Sequence, residues 1–275
     1  MNVGLAEVDT VSLLVLIAAG IAVGLLGGFL GIGGTPLLAP AVLFAIGRLP
    51  IAEAVAVRTS FGSALAGAGA IAAAGYAIHR GRVTGQRSLA YLLGPAVAIG
   101  AFFGGTVASR LGPETLRVAF AVGTLLVAGW MFFRSEREDV ERAARPAAWL
   151  IACMGLAIGF FAALAGMGGA VFSIIVLVNL FGFSMRTVAE TSSFVQICGS
   201  AAACAAYAAN GWGHPGLAQW SVGYVNLPAA ACIAACGIPA AIIGARFAHA
   251  ARPGVARKVF AALLVTLALH MLKVF

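Results

Sequence analysis

Long apolar runs alternate with short polar breaks along almost the whole chain. The runs cover 11–28, 54–78, 89–108, 116–133, 147–165, 188–208, 222–245 and 259–272. Each is close to the roughly 20 residues a helix needs to cross the hydrocarbon core of a bilayer. Two shorter runs, 37–46 and 171–181, predict half-length or re-entrant helices, and their length leaves the choice open. None shows the two-residue alternation of a barrel strand, and lipid offers backbone amides no water. The pattern therefore predicts an all-α polytopic membrane protein with about 8–10 membrane segments.

Composition strengthens this reading. Of 275 residues, 62% are hydrophobic and 9% charged, which excludes a soluble domain with a polar shell. The stretch MNVGLAEVDT before the first run has no Lys or Arg, hence no basic n-region, and the run is expected to be a retained helix. The formal charge of +8 adds no nucleic-acid partner, because the arginines are scattered between apolar segments. In such a chain they report topology, and the partner is membrane lipid.

The glycine-rich stretch GLLGGFLGIGGTP, 24–36, returns as GFFAALAGMGGAV, 159–171. Gly24, Gly31, Gly33 and Gly34 fall on Gly159, Gly166, Gly168 and Gly169 at one constant offset. VRTS at 57–60 then meets AETS at 189–192, and GPETLRVAF at 112–120 meets RPGVARKVF at 252–260. Three landmarks in one order predict a duplication: a first transmembrane repeat at 1–133, a cytoplasmic polar linker at 134–146 expected as a short solvated helix, and a second repeat at 147–275. Equivalent loops differ in charge, since HRGRVTGQR at 79–87 carries three arginines and NGWGHPGLAQ at 210–219 none. Five alternating segments per half put most basic residues on one side, whereas four split them evenly. The positive-inside rule therefore predicts inverted repeats with both termini outside the cytoplasm.

Gly-interrupted helices at matching positions of inverted repeats point to a transporter site near the midplane. A broken helix presents free N–H groups and the positive end of its dipole, which hold an anion without a full charge in lipid. The candidate substrate-binding residues are accordingly Gly33, Gly34 and Thr35 with Gly168, Gly169 and Ala170. The alternative is small-residue packing, which also suits Gly100 and Gly104. A nucleotide loop is a poor match: no Lys follows the glycines, and Pro36 stands where the last glycine of GxGxxG would fall.

Arg58 and Glu190 occupy matched positions inside apolar runs, where a charge costs at least ~2.5 kcal/mol. Arg58 is expected to attract the anion, with Glu190 as its internal partner and the candidate for proton coupling. The alternatives are a structural ion pair or an Arg58 that snorkels to the interface. Thr59, Ser60, Thr191, Ser192 and Ser193 offer hydroxyls to the anion, unless they bond their own preceding turn. Gln196, one turn after Ser192, is a further donor, with Asn179 and Asn226 less secure.

All five cysteines lie in the second half, and Cys232 and Cys236 share a helix face. They support a rival reading, a membrane thiol-redox or sulfur-relay protein, although small-residue packing explains them as well. No metal site is expected, because no further ligands stand near them in sequence. No HExxH or nucleophile–base motif involves His79, His214, His249 or His270, and Ser192 near Glu190 lacks a His. No enzyme activity and no cofactor are expected.

GIGGTPLLAP at 31–40, GMGGAVFSII at 166–175 and the pairs Thr59-Ser60 and Thr191-Ser192 resemble the TauE/SafE sulfite exporter family of bacterial and archaeal membrane transporters. The resemblance spans roughly 18–133 and 152–273. It implies a secondary transporter of small sulfur oxyanions or sulfonates, such as sulfite or sulfoacetate, in the inner (plasma) membrane. This chain departs from the family pattern at Thr35 and Ala170, where a third glycine is usual, and at Ile175, where a proline is usual. Arg58 and Glu190 likewise stand where small residues are usual. An anion channel would use the same site, and a homodimer would use the same apolar surfaces that face lipid.

Overall fold

The computed structural model describes residues 9–30, 34–79, 87–133, 147–183, 185–247 and 253–273. Among them the chain forms ten helices and one two-stranded hairpin. The first half carries α1 (Thr10–Leu30), α2 (Thr35–Ile46), α3 (Glu53–His79), α4 (Arg87–Ala108) and α5 (Pro113–Phe133). The second carries α6 (Ala148–Leu164), α7 (Ala170–Asn179), α8 (Met185–Asn210), β1 (Ser221–Val222), β2 (Val225–Asn226), α9 (Leu227–Phe247) and α10 (Pro253–Lys273). The protein is thus an all-α polytopic membrane protein; α1, α3, α4, α5 and α9 are long and apolar enough to span a bilayer. The linker at 134–146 and the loop at 80–86 lie outside the described residues.

Burial separates centre from periphery. The apolar stretch of α3 is 72% buried against 33% for that of α1, so α3 runs through the core while α1 faces lipid. Against α3 lies α8, whose many Ser, Thr and Ala residues are sheltered by α3 and α4. The outer helices pair crosswise between the halves, α1 with α9 and α4 with α6, and α5 packs on α10.

Small residues make these seams tight and reveal helix direction. A side chain at Gly20 would meet Ile233, one at Gly24 would meet Gly237, and one at Gly28 would meet Ala241, so α1 and α9 run the same way. Likewise Gly155 faces Ala96 and Gly159 faces Val97, so α4 and α6 run together. Gly67 meets Ile233 and Gly237 meets Ile71, aligning α3 with α9; Gly94 meets Phe194 and Gly105 meets Ala203, aligning α4 with α8. Across the centre the register reverses, with Gly62 on Tyr207 and Gly69 on Ser200. Hence α1, α3 and α9 point one way and α4, α6 and α8 the other. Gly100 and Gly104 lie on the backbone of α6 at Leu156 and Phe160, the packing role expected of small residues in lipid.

The short helices begin part-way along their partners. Gly34, which precedes α2, packs on Val23 of α1, and Pro36 sits in the first turn of α2, where its missing N–H is no loss. The far end of α2 returns to the start of α1, where Arg48 pairs with Asp9. Arg117 of α5 pairs with Glu53 at the start of α3 at 2.6 Å. These two pairs differ in burial. The Arg117 side chain is only 4% exposed although its partner Glu53 is 61% exposed, whereas Arg48 and Asp9 are 45% and 51% exposed. Glu53→Gln should therefore lower the unfolding temperature more than Asp9→Asn, since a pair exposed on both sides contributes only about 0–1 kcal/mol while Arg117 is buried. Thermal unfolding of the two variants in detergent checks the ranking.

The run at 222–245, expected as continuous helix, starts differently. Residues 221–226 form the β1–β2 hairpin, Ser221 opposite Asn226 and Val222 opposite Val225, and α9 begins only at Leu227. Gly223 stands at the first turn position with φ 56°, and a Cβ there would lie 2.0 Å from the Ala208 carbonyl oxygen. A two-residue hairpin turn with glycine first suits this geometry. Asn226 caps the following helix, its Oδ1 accepting the Ala229 N–H at 3.0 Å.

Candidate functional site

Gln196 lies near the middle of α8 and is fully buried. Its amide joins both helix breaks. The Oε1 accepts the N–H of Ala170, first residue of α7, at 3.0 Å. The Nε2 donates to Oγ1 of Thr35, first residue of α2, at 2.8 Å, and to Oγ of Ser200 at 2.9 Å. A backbone N–H only donates, so it fixes the amide oxygen toward Ala170 and the nitrogen toward the two hydroxyls. The N-termini of two helices, of 12 and 10 residues, therefore meet within the width of one glutamine side chain.

The preceding glycines make this approach possible. Gly168 has φ 70° and Gly169 φ 109°, left-handed conformations that a side chain would strain. A Cβ on Gly168 would stand 2.3 Å from Gln196 Nε2 and 2.5 Å from Ser200 Oγ, so only glycine lets the break rest on α8. The first break is different: Gly34 has an ordinary φ of −75°, and Gly33 lies outside the described residues. Neither helix has a side-chain N-cap bond. Two positive dipole ends thus face one point with no basic side chain beside them in the crevice lining. That crevice is narrow, with room for about one water molecule, is partly open to the outside, and is bordered by Gly28, Gly34, Ala72, Ala170, Ser193 and Gln196.

The remaining candidates spread along the core. Arg58 lies away from Gln196. Gly69 of α3 is level with Ser200, and the 11 residues from Arg58 to Gly69 place the arginine about 16 Å along the axis, at 1.5 Å per residue. Arg58 donates to the Leu111 carbonyl at 3.0 Å and to the Tyr224 hydroxyl at 3.2 Å. It does not pair with Glu190. Because α3 and α8 run in opposite directions, the two matched residues sit toward opposite ends of the core, on the order of 30 Å apart by helix rise. Glu190 is buried at 8% exposure and has no ion-pair partner among the described residues.

Thr59 and Ser60 are fully buried. Ser60 Oγ bonds its own turn at the Val57 carbonyl, 2.7 Å away, whereas Thr59 Oγ1 has no hydrogen-bond partner among the described residues. Thr191, Ser192 and Ser193 are also buried. Cys232 and Cys236 are half-buried and free, with Cys236 against Gly20 in the α1–α9 seam.

The sulfite exporter TauE/SafE family model matches residues 16–271, nearly the whole chain. The chain belongs to the TauE/SafE family. It is a multi-pass membrane transporter and not an enzyme. Among curated relatives, a probable membrane transporter protein of Haemophilus influenzae is 24% identical over 262 residues, covering 94% of this chain and 97% of the relative. The probable membrane transporter protein YdhB of Bacillus subtilis is 25% identical over 178 residues, 63% of this chain and 70% of that protein. No solved structure matches the chain.

Within this TauE/SafE transporter, sequence reasoning missed Ser200, Tyr207 and Tyr224. Ser200 stands one turn after Gln196 on the same face, a spacing that marks it as a partner. Tyr207 is a large side chain with a polar tip inside the alanine-rich stretch SAAACAAYAAN, a signal of a specific contact. Tyr224 follows the hairpin glycine, and its N–H bonds the Tyr207 carbonyl at 3.2 Å.

Proposed function

We propose that this protein is a secondary transporter of small sulfur-containing anions, sulfite, sulfoacetate or a related organosulfonate, which it holds near the midplane at the convergence of α2 and α7. The observation that carries the reading is the junction at Gln196, where two helix N-termini meet at the mid-depth of the core. Such a point favours a negative ligand without placing a formal charge in lipid. Gly34, Thr35, Gly168, Gly169, Ala170 and Gln196 form the proposed contact set, with Gly33 and the buried Thr191 and Ser192 as further members. The family's sulfite exporter description supports the substrate class.

The two halves act as inverted repeats in this reading. Opposite directions for α1 and α6, and for α3 and α8, support that relation. The positive-inside rule then puts the linker in the cytoplasm and both termini outside, across the inner membrane. Glu190, buried near the linker end of α8, is the proposed proton-coupling carboxylate, and Arg58, Thr59 and Ser60 lie toward the outer end.

Uptake into proteoliposomes tests this, with sulfite, sulfate, thiosulfate and sulfoacetate offered with and without a pH gradient. Saturable flux of at least one sulfur anion is expected, and a Cys232→Ala, Cys236→Ala double variant should keep it. Electrogenic flux that never saturates would make the protein a channel. Flux lost in the cysteine variant, with the fold intact, would transfer the activity to a sulfur relay.

A further inference from the structure

We propose that Arg58, Tyr207 and Tyr224 form a second oxyanion site, separate from Gln196, at the end of the core where α3 begins and α8 finishes. Arg58 uses two of its donors on neutral acceptors, the Leu111 carbonyl and the Tyr224 hydroxyl. Its Nε is buried without a hydrogen-bond partner, and no carboxylate pairs with it among the described residues. The half-buried guanidinium thus has no carboxylate counter-charge; the Tyr224 ring face, 5.6 Å from its Cζ, and the two neutral acceptors are what it rests on.

A second unpaired group lies on the face of α8 that packs against this turn of α3. Tyr207 is 0% exposed, and its hydroxyl has no partner among the described residues. Gly62, one turn after Arg58, packs on Cβ of Tyr207 and on the Tyr224 carbonyl, and the Tyr224 N–H bonds the Tyr207 carbonyl. Three independent elements, α3, α8 and the β1–β2 hairpin, thus hold one fixed cation and two phenols together.

The chemistry selects the ligand class. The free Nε–H and the Tyr207 O–H are donors, and a sulfite, sulfate, sulfonate or phosphate ester offers several acceptor oxygens and a negative charge together. A free anion and the phosphate of a lipid headgroup share this chemistry. Delivery of a transported anion to this site rests on the carrier reading, whereas oxyanion binding is measured apart from transport.

Tyr207→Phe provides the test, since it removes the hydroxyl and little volume. Thermal unfolding is followed in a maltoside detergent, which contains no phosphate, during titration with sulfite, with sulfate and with phosphatidylglycerol. Wild type and Gln196→Glu should both be stabilised by an oxyanion. Tyr207→Phe should be no less stable than wild type without the anion, and should bind it about tenfold more weakly. Arg58→Lys should lose at least as much, because the ammonium lacks the planar fork.

Stabilisation by sulfite or sulfate identifies a soluble ligand, and stabilisation by phosphatidylglycerol alone identifies a headgroup. No stabilisation of wild type by any probe would overturn the site, as would Tyr207→Phe binding within twofold of wild type. A Tyr207→Phe protein destabilised without anion would show that the hydroxyl is structural. Loss of the shift in Gln196→Glu would return the binding to the centre. Absence of flux in wild-type proteoliposomes sinks the carrier reading and leaves this one standing.

Discussion

Gln196→Glu is expected to fold like the wild type and to lose anion transport, whereas Gln196→Leu should lose both. The glutamate keeps an acceptor for the Ala170 N–H, and the hydroxyls of Thr35 and Ser200 can rotate to donate to it in place of the amide. Yet it brings a negative charge to the point where two helix dipoles are to hold an anion. Two like charges about 4 Å apart repel by about 4 kcal/mol at an effective dielectric near 20, roughly a thousandfold in affinity. Lowering the pH until the introduced carboxyl is protonated should restore part of the flux. Leucine instead leaves buried polar groups unpaired at about 1–3 kcal/mol each, so unfolding should come several degrees earlier. Proteoliposome flux and thermal unfolding of both variants decide the matter. Unchanged flux in Gln196→Glu would remove the anion from this junction.

The second large effect is expected at the α6–α7 break, where Gly168→Ala should destabilise the protein by about 3–5 kcal/mol and abolish transport. Two costs combine. A left-handed backbone costs an L-residue roughly 1–2 kcal/mol, and the added methyl would fall 2.3 Å from Gln196 Nε2 and 2.5 Å from Ser200 Oγ. Neither neighbour can yield without giving up the bridge between Thr35 and Ala170. Gly129→Ala in α5 is the control: a Cβ there meets nothing within 4 Å, so helix propensity alone should leave stability equal or raise it by up to ~1 kcal/mol. Denaturation of the two variants side by side separates the special backbone of Gly168 from a general glycine effect. Equal stabilities would mean that the break does not depend on this contact.

The membrane helices were readable because a bilayer sets the length of an apolar run. The runs at 89–108 and 116–133 became Arg87–Ala108 and Pro113–Phe133, differing only at their polar starts. The glycine repeat was equally informative: the second cluster carries the three left-handed residues Gly166, Gly168 and Gly169 just ahead of α7, while Gly31 and Gly33 of the first lie outside the described residues. The hairpin at 221–226 escaped notice because its valines merge into the apolar run that follows. Gln196 was readable as a polar residue inside a membrane helix, but as one donor among several and not as the link between the two breaks.

The sequence by itself determined that this chain lies in a membrane, that its helices break at matched glycines, and that it carries a TauE/SafE pattern, because each property depends on residues close together along the chain. Tertiary structure alone decided which side chains meet. Thr35 and Gln196 are 161 residues apart, and Arg58 and Tyr224 are 166 apart. The matched charges at Arg58 and Glu190 invited a pairing that the antiparallel crossing of α3 and α8 prevents. Periodicity reveals the face a residue occupies on its own helix; depth in the core, and the partner found there, follow from helix direction and from the close backbone contacts that glycine permits.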